Sequence, residues 1–171
     1  MKNIFYLLIL ILLSINFLTA QIKTDVKVEV GYLHYYFHTL KVDKGPGWRG
    51  YNLDEGQNGL EVNLIGSVNY KQRGYLGAGI GYLNFENIHG VSLFGNFEYW
   101  PINKKLAPGI IFKAGYDHIW NQYEGGRGTP MIEFNLGIPI KIRESLILYF
   151  QSGGRFTQQS FFWPVKAGIR F

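Results

Sequence analysis

Histidine and serine are the side chains best suited to acid–base, metal or nucleophilic chemistry in this cysteine-free sequence. The four histidines are spread along the chain as His34, His38, His89 and His118. His34 and His38 could share one face of a strand and bind a metal ion, but tyrosine-rich strand ends often carry histidines with no metal role. Ser92 follows His89 by three residues, so on a strand the two side chains face opposite sides and cannot pair as nucleophile and base. We therefore predict no catalytic residue, no metal site, no cofactor and no enzymatic activity.

The glycines of Gly77-x-Gly79-x-Gly81 do not form a nucleotide-binding loop, because they lie within a predicted strand and no helix follows them. Their spacing places all three on one face of that strand. We interpret them as small residues that make room for bulky neighbours in a narrow barrel interior.

Eight segments of the chain show the two-residue alternation of strands that have two different faces, and none shows a sustained helical period. The predicted strands cover residues 24–38, 60–70, 74–85, 88–100, 108–120, 130–141, 145–156 and 160–171. The pattern predicts an all-β chain folded as an eight-stranded antiparallel up-and-down transmembrane β-barrel. A soluble lipocalin-like barrel with an apolar interior is the alternative architecture.

One face of the predicted strands collects charged side chains, five of each sign. We expect them to form a charge network in the barrel lumen: Lys27, Glu29, Glu61, Glu98, Lys113, Asp117, Glu133, Arg155, Lys166 and Arg170. A lysine or arginine that faced lipid at the membrane midplane would cost about 2–4 kcal/mol, so this face must point inward. The balance of signs suits ion pairing in a confined space. With large side chains also expected inside, a permanent wide channel is not predicted.

Aromatic residues near the strand ends are assigned to the opposite, apolar face, as in the two girdles of a membrane barrel. The residues assigned to it are Tyr70, Tyr75, Tyr99 and Trp100 at one end, and Tyr36, Phe85, Trp120, Tyr123, Phe161 and Trp163 at the other.

The connections between predicted strands are short at one end, whereas two of those at the other end, 41–59 and 121–129, are longer and rich in glycine. In outer-membrane barrels the short turns are periplasmic and the longer loops are extracellular. Residues Trp48, Arg49 and Tyr51 in the first long loop are our candidate contact for an extracellular protein or glycan.

The first twenty residues have the pattern of a secretory signal peptide. Lys2 precedes an apolar run over residues 4–13, and Leu18-Thr19-Ala20 resembles a cleavage site. We therefore predict a signal peptide over 1–20 and a barrel domain over 21–171. The formal net charge of +5 is modest and its basic residues are scattered, which argues against nucleic-acid binding.

The last strand carries apolar residues at alternate positions and ends in an aromatic residue, as Trp163, Val165, Ala167, Ile169 and Phe171. This ending resembles the terminal signature of small bacterial outer-membrane barrels of the OmpA/OmpX type, and Ala167 to Phe171 is similar to barrels of Bacteroidota. The resemblance implies location in the bacterial outer membrane, contact with outer-membrane lipid, and recognition of these residues as an assembly signal by the barrel-assembly machinery.

Two functions fit this sequence, and a third is less favoured. The first is a barrel with a filled lumen and a structural or interaction role through its extracellular loops. The second is a narrow or gated, porin-like transport barrel for small molecules. The third, a lipid A-modifying enzyme, lacks the constellation of residues that such chemistry needs.

Overall fold

Eight β-strands make up nearly all of the chain that this computed structural model describes, which comprises residues 22–39, 46, 56–71, 73–101, 107–120, 127–143, 146–158 and 160–171. The strands are β1 (Ile22–His38), β2 (Gly59–Tyr70), β3 (Gly74–Phe85), β4 (Ile88–Tyr99), β5 (Gly109–Ile119), β6 (Arg127–Arg143), β7 (Leu146–Thr157) and β8 (Ser160–Arg170). All eight predicted strands are confirmed, with ends that differ by at most three residues. Within the described ranges, no helix has the length and apolar character needed to cross a membrane.

The strands pair in chain order, each antiparallel to the next, and β8 closes the barrel on β1. Successive paired residues around the wall run from Asp25 through Ser67, Gly77, Asn96, Lys113, Glu133, Arg155 and Phe162 back to Tyr35. Following the paired residues once around the barrel therefore leads back to β1 ten residues further along the strand. Such a stagger between the strands tilts them by about 35–45° from the barrel axis. The architecture is the predicted eight-stranded antiparallel barrel.

Side chains alternate between a polar interior and an apolar exterior along the strands. On the outside, Leu93 is 64% exposed and Leu136 is 59% exposed, whereas Glu29 and Glu133 inside are fully buried. A soluble barrel would place these aliphatic side chains inside and the charges in water. The observed arrangement is that of a transmembrane barrel, because lipid takes the place of water around its apolar exterior.

Three aromatic residues assigned to the outer girdles lie inside the barrel instead. Tyr75, Phe85 and Trp100 are all buried. Tyr75 and Phe85 have the same parity along β3 as Gly79 and therefore share its inward face. Trp100 comes directly after β4 and two residues after Glu98, so its side chain points to the same, inward side. Its Nε1 donates a hydrogen bond to Glu98 Oε2 at 3.3 Å. Proximity to a strand end was therefore a poorer guide to the facing direction than parity.

The remaining predicted girdle residues are distributed as follows. The residues that face outward and are exposed are Tyr36, Tyr70, Tyr99, Trp120 and Trp163. Phe161 is half-buried, and Tyr123 lies outside the described residues.

The two ends of the barrel differ in their connections. At the turn end, residues 71–73, 100–108 and 144–145 join the strands; at the loop end, residues 39–58, 86–87, 120–126 and 158–159 join them. β6 begins at Arg127, so the second long loop is shorter than predicted. Glu86 and Asn87 form a two-residue connection in which both residues have positive φ, at 49° and 79°, as in the turns that match the strand twist of hairpins.

The pairing of β7 with β8 is interrupted in the middle of the two strands. Pairing continues to Ser152 opposite Val165 and resumes at Arg155 opposite Phe162, so it skips the residues opposite Pro164 and its neighbour. Pro164 has no amide hydrogen to donate to the sheet. The Ser152 hydroxyl donates to the Pro164 carbonyl oxygen at 2.9 Å and accepts from Trp163 Nε1 at 2.9 Å. A side-chain hydroxyl thus occupies a gap in the backbone ladder.

The substitution Ser152→Ala is expected to lower the free energy of unfolding by about 1–3 kcal/mol, because two polar groups lose their partner in a wall that faces lipid. Urea-induced unfolding in phospholipid vesicles measures the loss. Trp163→Phe is the matched variant: it removes the indole donor but keeps the bond to the Pro164 carbonyl, so it should cost less. Equal stability of Ser152→Ala and the unsubstituted protein would contradict this assignment.

Candidate functional site

The interior of the barrel is the candidate functional site, because it collects the buried charged side chains of the described residues. All ten predicted lumen charges are buried inside the wall. The structure adds an eleventh, Asp25, whose side chain is 7% exposed and pairs with Arg170. Asp25 has the same parity along β1 as Lys27 and Glu29, and this signal was sufficient to include it in the network.

The turn-end half of the network centres on Glu98 and Glu29. Arg170 Nη2 lies 2.7 Å from Glu98 Oε2, and Lys27 Nζ lies 2.8 Å from Glu98 Oε1. Lys27 Nζ also lies 2.5 Å from Glu29 Oε2, and Gln151 donates to the same oxygen at 2.9 Å. Each carboxylate is therefore held by at least two donors from other positions of the wall, as buried charges require.

The loop-end half centres on Arg155. Its Nη2 lies 2.6 Å from Asp117 Oδ2, and its Nη1 lies 2.8 Å from Glu61 Oε2. Lys166 pairs with Glu61 and also with Glu133, where the Nζ–Oε1 distance is 2.5 Å. An arginine suits this position because its planar guanidinium offers several fixed donors to neighbouring carboxylates.

Lys113 joins the two halves into one chain of ion pairs. Its Nζ contacts Glu29 on the turn side and lies 3.7 Å from Glu133 Oε1 on the loop side. The residues of this ion-pair network come from seven of the eight strands, and β3 contributes none. The network therefore links almost the whole circumference across the lumen.

The absence of charges on β3 follows from its inward glycines. An added Cβ at Gly79 would lie 2.6 Å from the Phe94 ring and 2.9 Å from the Ile65 side chain, closer than real Cβ contacts. At Gly81 it would meet the side chains of Asn63 and Ser92. The interpretation of these glycines as room for bulky neighbours is confirmed at Gly79, whereas the close neighbours of Gly77 and Gly81 are small residues and backbone.

Apolar clusters close the lumen above and below the charges. The cluster at the loop end comprises Leu33, Leu83, Phe85, Ile88, Ile119 and Phe162. The cluster at the turn end comprises Tyr75, Trp100, Ile111 and Tyr149. The sequence predicted large side chains inside, Tyr149 and Phe162 among them, but assigned three other aromatic residues of these clusters to the outer girdles. Together with the ion pairs between them, these side chains occupy the described interior at the loop end, in the middle and at the turn end.

The histidines lie at the loop end and not in the lumen. His34, His89 and His118 are on the outer side of the wall, and Tyr82 Oη forms a 2.5 Å hydrogen bond with His89 Nδ1. Ser92 is buried in the interior, so it is separated from His89 by the wall, as its parity predicted. Within the described ranges, no group of three or more histidine, aspartate or glutamate side chains is arranged to hold a metal ion.

The other predicted site residues lie at the wall or outside the described residues. The alternate residues of the terminal segment, Trp163, Val165, Ala167, Ile169 and Phe171, all face outward. Phe171 also exchanges backbone hydrogen bonds with Val26, at 2.9 and 3.3 Å, so β8 stays paired to its end. The candidate contact residues Trp48, Arg49 and Tyr51 lie outside the described residues.

Comparison with known proteins identifies the fold. No protein-family model and no curated protein sequence matches the chain. Among solved structures, it is similar to Neisserial surface protein A, with a TM-score of 0.66 and 7% sequence identity over 87% of this chain and 97% of that one. It is also similar to the N-terminal β-barrel domain of Pseudomonas aeruginosa OprF, with a TM-score of 0.50 and 14% identity over 88% of this chain and all of that one. The chain thus has the OmpA-like fold of the small eight-stranded outer-membrane β-barrels.

Proposed function

We propose that this protein resides in the bacterial outer membrane as a closed barrel, and that it has a structural or interaction role through its extracellular loops. The observation that carries the proposal is the filled interior, in which a continuous ion-pair network lies between two apolar clusters. A conducting pore needs a hydrated path, whereas this lumen is occupied by side chains, as is usual for eight strands. No histidine lies beside the buried Ser92 within the described interior, which supports a role other than catalysis.

The loop end supports the interaction role because the bases of its longest connection are held by hydrogen bonds. Thr39 donates to the backbone oxygen of Thr157 on β7 at 3.2 Å. At the other base, the Asn58 side-chain oxygen accepts from the Tyr35 amide at 3.0 Å, and the Asn58 amide donates to Glu86 at 3.4 Å. A rigid wall with tethered loop bases is a suitable platform for binding residues. Trp48, Arg49 and Tyr51 are the residues proposed to contact a protein or a glycan.

The location proposal combines the apolar exterior with the sequence signals. Residues 1–20 are proposed as a cleaved signal peptide, and the alternate residues from Trp163 to Phe171 are proposed as the signal for the assembly machinery. Outer-membrane lipid would then surround the exposed aliphatic band. A folded barrel of this kind should change its gel migration on heating.

In planar bilayers, the purified protein is expected to show no steady single-channel conductance, because apolar clusters and ion-paired side chains occupy its lumen. The comparison pair is Glu98→Ala inside the network and Glu86→Ala in the exposed β3–β4 connection. The transport alternative would be favoured over the interaction role if the unsubstituted protein showed steady openings, and if Glu98→Ala altered these openings whereas Glu86→Ala did not. Lipid A extracted from cells with and without the gene should have the same mass spectrum, and a difference would instead favour a lipid A-modifying enzyme.

A further inference from the structure

The barrel sorts the charged side chains of residues 21–171 into three groups, and the excess of positive charge falls in only one of them. The interior network contains five basic and six acidic residues. The loop-end segments 39–58, 86–87, 120–127 and 158–159 contain four basic and five acidic residues. The turn-end segments 21–24, 71–73, 100–108 and 141–145 contain seven basic residues and one acidic residue. The turn end thus holds an excess of six positive charges, although the whole segment has an excess of only four.

Among the turn-end cations that the structure describes, Lys141 is half-buried and four others are exposed. The exposed four are Lys23 at the start of β1, Lys71 and Arg73 in the β2–β3 connection, and Arg143 at the end of β6. Two described acidic side chains close to this end are turned inward: Asp25 is bound to Arg170, Ser67 and Asn69, and Glu98 is paired with Lys27 and Arg170. Among the described turn-end residues, no exposed carboxylate side chain neutralises these cations. We call Lys23, Lys71, Arg73 and Arg143 the basic rim.

The basic rim lies at the depth where the apolar exterior ends. Tyr70 precedes Lys71 and is 47% exposed, and Lys71 Nζ lies 4.9 Å from the centre of its ring. Ile142 precedes Arg143 and is 56% exposed. Lysine and arginine can extend their aliphatic stems along such apolar surface while the charge reaches the aqueous boundary. In a bilayer, this boundary is the level of the lipid headgroups.

We infer that the basic rim concentrates anionic phospholipid headgroups in the leaflet that faces the turn end. The inference rests on the proposed membrane location. Two features favour lipid over an acidic protein as the partner. The cations come from three positions on the perimeter, the start of β1, the β2–β3 connection and the end of β6, whereas a docking protein would need them on one face. They also adjoin the outward aromatic and aliphatic band that lipid itself contacts. Clusters of basic residues at a membrane surface attract anionic lipids in this way.

The test uses vesicles of phosphatidylcholine with a minor fraction of phosphatidylglycerol, into which the full mature chain is reconstituted. Spin-labelled versions of the two lipids report which of them is immobilised at the barrel. We expect phosphatidylglycerol to be enriched about threefold over phosphatidylcholine at low salt, and less at high salt because ions screen exposed charges. In the variant K23Q/K71Q/R73Q/R143Q the enrichment ratio should fall to about 1, which means that the barrel no longer prefers phosphatidylglycerol over phosphatidylcholine.

The loop-end control, K41Q/K44Q/R127Q, removes three positive charges outside the basic rim and outside the proposed contact residues, and it should leave the enrichment unchanged. An equal loss in both variants would overturn the inference, and so would an unsubstituted barrel that shows no lipid preference. Binding of an acidic protein by the rim without any lipid preference would also overturn it. Heat-dependent gel migration shows whether each variant folds, and K71Q/R73Q replaces the fourfold variant if that one does not. Conductance is recorded in parallel, so that failure of the lipid inference is distinguishable from failure of the closed-barrel proposal.

Discussion

Replacing Arg155 with methionine is expected to lower the free energy of unfolding by about 3–5 kcal/mol, because it removes one partner from buried ion pairs. Arg155 is 1% exposed and contacts the carboxylates of Asp117, Glu61 and Glu133. Methionine fills a similar length without charge. In the variant, Lys166 still reaches Glu61 and Glu133, but Asp117 loses the salt bridge that Arg155 supplies. An unpaired carboxylate at this position is costly, because it is buried in protein and cannot be solvated by water.

Urea titration in vesicles, followed by tryptophan fluorescence, measures this loss. Arg143→Met is the control, since Arg143 is exposed at the turn end and its loss should change stability by less than about 0.5 kcal/mol. Adding Asp117→Asn to Arg155→Met should recover part of the loss, because the unpaired charge is removed together with its partner. If Arg155→Met unfolded at the same urea concentration as Arg143→Met, the network would not stabilise the barrel.

Replacing Leu136 with arginine is expected to destabilise the folded barrel in a bilayer by about 2–4 kcal/mol, the cost of a basic side chain at the midplane on the lipid-facing side. Leu136 lies near the centre of β6, faces outward and is 59% exposed. It pairs with Ser152 in the middle of β7, and its outward neighbours Phe134 and Ile138 are also exposed, so the apolar band extends to both sides of it. Reversible folding into vesicles, monitored by tryptophan fluorescence, gives the change in the free energy of unfolding.

Ile142→Arg is the matched control on the same face of the same strand, six residues closer to the turn end. Its cost should be only about 0–1 kcal/mol, because a charge near the interface reaches water. A large difference between the two variants would support insertion with the turn-end boundary near Ile142. Equal tolerance of both, with protein that stays soluble without detergent, would mean that the exterior faces water and that the transmembrane assignment is wrong.

Much of the wall was predictable because strand periodicity is a local property. The alternation around Leu60 to Tyr70 and around Ile132 to Ile140 predicts which side chains share a face, and the structure agrees in both segments. Parity along β5 likewise placed Lys113 and Asp117 inside. The cost of exposing charge to lipid then decides which face points inward.

The errors had a local cause as well. Tyr75, Phe85 and Trp100 were assigned to the girdles because they lie near strand ends, although the parity of their own strands puts them inside. Aromatic residues suit both an interface and a packed interior, so residue type alone could not decide between them. The structure shows that they help to close the lumen, and this closure is what separates the platform proposal from the transport alternative.

By itself, the sequence determined the number of strands, their approximate ends and the face on which each charge lies, because all three depend on the two-residue period of a strand. Which charges meet was decided only by the tertiary structure. Arg155 and Glu61 are 94 residues apart in the chain, yet their charged groups lie 2.8 Å apart across the lumen. Their contact depends on the ten-residue stagger that closure of β8 on β1 imposes on the whole wall, since the stagger sets the height of every strand relative to the others.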